Sequence, residues 1–372
     1  MEQSVREILI ELRHDLHRHP ELSMEECWTQ QRLMAFLREN TSLEVVPMGK
    51  WFYAHYTSGS QLPAIAFRAE LDALPVRDEI DTSYVSQVAG HGHKCGHDGH
   101  MVSLCGLAMR LERCGADRDV YLIFQHGEEI GAGGEECARL LPEKEIGLVY
   151  GWHNRPGLPL GMVQTMDGTM YYASKGVILH FDGIPSHASM PEAGRCPAFA
   201  ISKIVNAIPQ LLSPENWVGQ VFCTVIQIDV GEPAFGTQAS RGELLLTIRG
   251  QYEREMDLLQ EKLEKMAGQL AIEDGLEWNV RYCDAFPESA NDPIAAQRIR
   301  DAAQRLGMNY REAPHPYRGS DDFGYYPKLA LGAMFEIGAG VDCPPIHTVH
   351  YDFPDEILEH AIDLMWELTR NA

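Results

Sequence analysis

Ala64-Ile65-Ala66-Phe67-Arg68-Ala69-Glu70-Leu71-Asp72-Ala73-Leu74-Pro75 sets a short, continuous apolar run directly before two carboxylates. A run that is apolar throughout, instead of alternating, is the pattern of a strand covered by helices on both faces. It recurs downstream. Val120-Tyr121-Leu122-Ile123-Phe124 leads into Gln125-His126-Gly127-Glu128-Glu129-Ile130-Gly131-Ala132-Gly133-Gly134, and Ile146-Gly147-Leu148-Val149-Tyr150 leads into Gly151-Trp152-His153-Asn154. Between the first two runs, Val102, Leu104, Leu107, Ala108 and Leu111 carry the spacing of a helix. Strands that alternate with helices and end in ionisable residues predict an α/β sheet whose ligands gather at the strands' carboxyl ends. Glu70 and Asp72 then mark one edge of a site.

Toward the N-terminus, Val5, Ile8, Leu9, Leu12 and Leu16 predict an amphipathic helix that Pro20 ends, followed by a helix over 27–39 and strand-like runs near 43–47 and 51–57. His17 and His19, beside a helix end, read as polar structural residues and not as metal ligands. From Ala173 to about Cys283 the texture changes to strand (176–181), helix (196–211), strand (221–228), strand (243–248), helix (252–271) and strand (278–282). That β-α-β-β-α-β order describes a small α+β unit with an antiparallel sheet. The α/β texture then resumes with a helix near 292–306, a strand over 333–337 and a last helix carrying Ile357, Ile362, Leu364 and Met365. The first domain is therefore expected to be discontinuous, 1–172 plus 285–372, with 173–284 inserted. Two domains also suit a chain of 372 residues, since a single core stops growing near ~250–300.

A net charge of −23 sets the protein against nucleic acid and anionic membranes as partners. Nine cysteines without a repeating spacing read as reduced thiols. The opening Met1-Glu2-Gln3-Ser4-Val5-Arg6 lacks the basic and apolar regions of a signal peptide, and no apolar run approaches ~18 residues. A cytoplasmic protein without a membrane span is expected.

The densest chemistry lies in His91-Gly92-His93-Lys94-Cys95-Gly96-His97-Asp98-Gly99-His100, where four histidines, a cysteine and an aspartate share ten residues. A packed core would not need such a concentration of soft and borderline ligands, so the stretch reads as a metal-binding loop. An α/β sheet brings Cys95, His97, Glu129 and His153 toward one edge. A proline-stiffened loop, Cys343-Pro344-Pro345-Ile346-His347-Thr348-Val349-His350-Tyr351, offers His347 at the same edge. Five ligands exceed one tetrahedral structural zinc and suit two divalent ions, Zn, Mn or Co, sharing a bridge. Glu128 and Glu129 are neighbours in an irregular loop, so one carboxylate can bind metal while the other faces an activated water. That pairing suits hydrolysis of an amide.

These motifs resemble the dinuclear metallo-amidohydrolase family that holds bacterial aminoacylases, hippurate hydrolases and plant auxin-conjugate hydrolases, within the superfamily of zinc aminopeptidases and glutamate carboxypeptidases. Leu16 to Ser23, Arg68 to Pro75, His93 to His100, Glu128-Glu129, His153 to Gly161, Pro185 to Pro191, Gly319-Ser320-Asp321-Asp322-Phe323 and Ile346-His347 fall in family order. The resemblance implies an α/β, phosphorylase/hydrolase-like catalytic domain with a central mixed sheet, plus an inserted ferredoxin-like α+β domain that serves as lid and dimerisation unit. It implies Cys95, His97, Glu129, His153 and His347 as metal ligands, the cysteine bridging, and Glu128 as general base and acid. It places His187 at the substrate carboxylate or the oxyanion, and Asp72 behind the metals. Of residues 91–100, only Cys95 and His97 would then touch metal. The implied activity is hydrolysis of an N-acyl amino acid or similar small conjugate, with a dipeptidase or carboxypeptidase on the same scaffold, or a non-catalytic metal-binding protein retaining the fold, as alternatives. Several positions depart from the family pattern. Relatives commonly carry a hydrophobic residue and an alanine at Gly92 and Lys94, a small residue or proline at His126, an asparagine at Gly236 that helps bind substrate, and a glutamate at Asp321. None of these is a proposed ligand or Glu128.

Overall fold

This computed structural model describes residues 2–370. Two compact units emerge, one built from residues up to Met170, Ser289–His315 and from Asp321 onward, the other from Tyr171–Glu288 and Pro316–Ser320.

The first unit is α/β around a mixed sheet of eight strands. Their order is Glu44–Pro47, Phe52–Tyr56, Val120–Gln125, Ala64–Glu70, Ile146–Pro156, Leu331–Gly340, Val163–Thr165 and Tyr310–Glu312. The four central strands pair in parallel, and Ala64–Glu70 and Val120–Gln125 are buried at every position, which is why both read as continuous apolar runs. Helices Gln3–Arg18, His97–Cys114 and Leu358–Thr369 supply Leu9, Leu12, Leu104, Leu107, Ile362 and Met365 to a core shared with Phe67, Leu122 and Phe335 of the sheet. The strands at 163–165 and 310–312 have three residues each, too few to show a period in sequence.

Two boundaries differ from the sequence reading, and both bear on function. The helix read from Val102 begins five residues earlier, at His97, because Gly96 adopts a left-handed conformation (φ 96°) that turns the chain into it. Its first turn carries His97, Asp98 and His100, polar residues that are nonetheless buried, so the hydrophobic period conceals the start. The strand read over 146–150 runs on to Pro156, so His153 lies within the strand and not beyond its end.

In the second unit, an antiparallel sheet runs in the order Val221–Val230, Arg241–Gly250, Ala173–Asp182, Glu277–Phe286. Val177, Leu179, Phe181, Leu244, Leu246 and Ile248 alternate inward against Ile201 and Ile204 of helix Ala198–Leu211 and Leu259 and Leu263 of helix Glu253–Asp274. This is the β-α-β-β-α-β unit expected from the sequence. The edge strand Val221–Val230 exposes Val225, Ile226 and Ile228. None of the nine cysteines is in a disulfide, and no helix of the described residues is long and apolar enough to cross a membrane.

The helix that begins at His97 is seated by close packing. A Cβ on Gly99 would lie 2.3–2.4 Å from the buried ring of Phe353. Gly99→Ala is therefore expected to destabilise the protein by about 1–3 kcal/mol, as overpacking does, and urea unfolding followed by far-UV circular dichroism measures it.

Candidate metal centre

All five proposed ligands belong to the first unit and come together. Cys95 Sγ lies 3.3 Å from Nε2 of His153 and 3.3 Å from Nε2 of His347. His347 Nε2 is 3.5 Å from Glu129 Oε1, and His97 Nε2 is 3.9 Å from that same oxygen. Cys95, His97 and His153 form one group of donor atoms within 4.8 Å of one another, and Cys95, Glu129 and His347 form a second. Cys95 is common to both.

Each donor is placed by its local backbone. Gly96 has to be glycine: beyond its left-handed φ, a Cβ there would meet Asn154 Oδ1 at 2.2 Å, so the loop presses against the strand that carries His153. Glu128 and Glu129 occupy a single 3-10 turn between Gly127 and Gly131, both left-handed. His347, at φ 62°, holds a conformation unusual for a residue with a side chain, and its N–H donates to the carbonyl of Lys94 at 2.6 Å. It is exposed, which opens the donor set to solvent on that side.

The imidazoles are oriented from behind. His97 Nδ1 sits 2.8 Å from the Asp72 carbonyl and 3.4 Å from its carboxylate, and His153 Nδ1 sits 2.8 Å from the Asn154 carbonyl. Both rings therefore turn Nε2 inward. The Asp72 carboxylate also accepts the Glu129 N–H at 2.9 Å and the Ser23 hydroxyl at 2.7 Å. Among the described residues, His97 Nε2 and Glu129 Oε1 are buried without any hydrogen-bond partner. Two orphaned buried donors beside a thiol and two more imidazoles fit divalent cations of the Zn, Mn or Co type.

The electrostatics agree. Burial pulls the His97 imidazolium down, but its hydrogen bond to Asp72 and the charges of Glu70, Asp72 and Glu129 outweigh this and lift it to about 10. Burial raises Glu129 to about 7, against the pull of His97 and with the push of Asp72. The Cys95 thiol is raised well above its usual range by burial and then by Glu129, Glu128 and Glu70. Burial and then His100 push His153 well below the ordinary imidazole range, and burial and then His97 lower His347, so these two rings stay neutral, the form that binds a cation.

Beside the donors lies a second buried cluster. Glu128 offers a carboxylate oxygen within 4.8 Å of oxygens of Asp321 and Asp322, and burial, Asp321, Glu129 and Asp322 raise its proton affinity well above the ordinary carboxyl range despite Arg68. Arg68, fully buried, pairs with Glu70 and Asp322 and reaches Asp321 at 2.9 Å. Glu70 offers a carboxylate oxygen within 4.8 Å of ring nitrogens of His97 and His100. It binds Arg68 and, at 2.8 Å, His100 Nδ1, whose Nε2 meets Asn154 Oδ1 at 2.7 Å. Sequence reasoning missed this Arg68 cage; its signal was a charged residue, Arg68, within an otherwise apolar run. His17, read as structural, is buried between Asp98 at 2.7 Å and Asp78 at 3.0 Å.

His187 lies in the second unit on the short strand Ser186–His187, paired with Thr237–Gln238. It is exposed, and its Nδ1 sits 2.7 Å from the Ser189 hydroxyl.

Residues 66–371 match the model of peptidase family M20/M25/M40. The N-acetylcysteine deacetylase of Bacillus subtilis (strain 168) is 27% identical over 335 residues, covering 89% of this chain and 88% of that protein. A dinuclear metal-binding peptidase of the M20 family from Bacillus subtilis superposes with a TM-score of 0.82 at 25% identity, over 99% of this chain and 98% of the other. A protein from methicillin-resistant Staphylococcus aureus shares the fold with a TM-score of 0.90 at 24% identity, over 98% and 96%.

Glu26 ties the Glu128-Glu129 turn to the first helices, accepting the Gly127 N–H at 2.7 Å. Burial and then Asp72 raise its carboxyl from 4.5 to about 7. Between those values the folded state binds more protons than the unfolded one, so stability falls as pH rises from 4.5 to 7. Glu26→Gln keeps an acceptor and removes this loss. In the metal-free protein the variant should gain on the order of 2 kcal/mol over wild type between pH 4.5 and 8, read from thermal melts across that range.

Proposed function

The chain belongs to peptidase family M20/M25/M40 and is a metal-dependent amidohydrolase, and from that premise we propose that it cleaves the amide of an N-acyl amino acid or a similar small conjugate. The observation that carries this reading is the convergence of Cys95, His97, Glu129, His153 and His347 with Glu128 buried at their edge. Cys95, His97 and His153 would hold one ion and Cys95, Glu129 and His347 the other, since Cys95 belongs to both donor groups. Two divalent ions there supply Lewis acidity, which polarises an amide carbonyl and lets water give up a proton near neutrality.

The chain's own residues manage that proton. Glu128 takes it from water as the water oxygen bonds to the carbonyl carbon. As the carbon–nitrogen bond breaks, Glu128 gives the proton to the leaving amine, and a carboxylic acid and an amine result. Burial and the neighbouring carboxylates, which raise its proton affinity, suit it to keep the proton between the two steps. Arg68 keeps Asp321 and Asp322 in place behind it. Asp72 orients His97. His187 is assigned to the substrate carboxylate or the oxyanion, and the second unit to the role of lid and dimerisation domain. The relative named for deacetylating N-acetylcysteine supports the substrate class.

Glu128→Gln should leave metal content unchanged while lowering kcat by about 10²–10⁴, measured by elemental analysis and by turnover of N-acetyl, N-benzoyl and indole-acetyl amino acids. Near-normal turnover would remove Glu128 from its role. Faster hydrolysis of dipeptides than of any N-acyl amino acid in the same panel would replace the substrate assignment with a dipeptidase.

Bound metal provides a separate check. Cys95→Ala should lower the metal stoichiometry further than His347→Ala, because Cys95 belongs to both donor groups. Equal losses would count against a bridging cysteine.

A further inference from the structure

We propose that the buried Lys94–Asp78 ion pair is a positioning device of this metal centre, clamping the segment that carries Cys95 and His97 against the loop that carries His347. The proposal rests on the metal reading given above and extends it to residues outside the ligand set.

A lysine side chain is almost never fully buried unless it is paired. That of Lys94 is fully buried, and its Nζ donates to Asp78 and, at 2.8 Å, to the carbonyl of Tyr351. The backbone carbonyl of Lys94 accepts the His347 N–H at 2.6 Å. One residue thus bonds both His347 and Tyr351, fixing each end of segment 347–351 beside Cys95.

Asp78 leads back to the same segment by another route. Its second oxygen is 3.0 Å from His17 Nε2 and accepts the Ser86 N–H at 2.8 Å. His17 Nδ1 reaches Asp98 at 2.7 Å, and Arg13 donates to Asp98 at 3.1 Å. The backbone from Lys94 to Asp98, which contains both Cys95 and His97, is therefore held at each end by the Asp78–His17 pair. The bonds close a ring around the two ligands.

Gly92 makes room for this arrangement. A Cβ there would lie 3.1 Å from Lys94 Cε, 3.3 Å from its Cγ and 3.1 Å from the carbonyl of Val76. A side chain at 92 and the lysine stem compete for one space. Gly92 and Lys94, two departures from the family pattern, are thus parts of a single device. Neutralising Asp78 leaves the buried Lys94 ammonium with only the Tyr351 carbonyl, and removing Lys94 takes away the cation on the Asp78 oxygen that faces away from His17.

The test uses Co²⁺ as the probe on full-length protein stripped of metal. Wild type should bind Co²⁺ with thiolate-to-cobalt absorption from Cys95. Lys94→Met and Asp78→Asn should each weaken Co²⁺ binding by about 10–100-fold, speed its loss to a chelator and reduce that absorption. The double variant Gly92→Met/Lys94→Ala refills the volume without restoring the ion pair, and it carries the test if the single variants do not fold. Its metal-free melting temperature should approach that of wild type while its Co²⁺ affinity stays low. Recovery of wild-type affinity in the double variant would reduce Lys94 to filler and overturn the proposal. So would unchanged affinity in both single variants beside a normal wild-type spectrum, with the metal reading left standing. Absence of thiolate absorption in wild type overturns the metal reading and this proposal together.

Discussion

Buried carboxylates need compensating positive charge, and the first unit is arranged around that need. Glu70, Asp72, Glu128, Asp321 and Asp322 are all buried within one neighbourhood, and Glu129 is nearly so. Burying one unpaired carboxylate costs several kcal/mol, so six cannot be tolerated without cations or protons. Arg68 is the permanent cation at the centre of the cluster, and it answers Glu70, Asp321 and Asp322. The remaining demand falls on Asp72, Glu128 and Glu129. In the metal-free protein a proton on His97 meets part of it; under the proposed function, divalent cations at the donor atoms would take the place of that proton and meet the rest. The same constraint that makes the site costly to fold therefore makes it selective for metal.

The sheet accounts for how so much charge is held in place. Parallel strands leave their carboxyl ends at one edge, and residues of these strands or of the loops after them supply Asp72, Glu129 and His153. Each charge there rests on a stiff element with its hydrogen-bonding groups already occupied from behind. His97 is held by Asp72, His153 by the Asn154 carbonyl, and Asp72 by the Glu129 N–H and Ser23. What the supporting groups leave free is the inward Nε2 of each ring and one oxygen of Glu129.

The convergence of the candidate donor residues was legible because metal chemistry is written in residue type. A cysteine and two or three histidines gathered at strand ends serve few purposes besides holding a metal, and the continuous apolar runs mark buried parallel strands directly. The supporting layer was not legible, because its partners are distant in the chain. His17 and Asp98 are separated by 81 positions, Arg68 and Asp321 by 253, and Lys94 and Tyr351 by 257. No local period registers such pairs. The start of the helix at His97 is hidden for a related reason. Its first turn buries histidines and an aspartate in place of apolar residues, and their burial is tolerable only because Arg13, His17 and Glu70 arrive from elsewhere to pair with them.

Chemistry and specificity separate along the same lines. None of the departures from the family pattern replaces a donor or Glu128, and two of them, Gly92 and Lys94, are accounted for by packing within the first unit. Gly236, in the second unit, is different. A Cβ built there meets nothing within 4 Å, and its backbone does not occupy the left-handed region that favours glycine. Neither packing nor conformation demands a glycine, so a Cβ at this position would be accommodated without strain. Under the proposed function, the glycine at 236 would bear on what the 235–241 loop recognises and not on the donor atoms or Glu128.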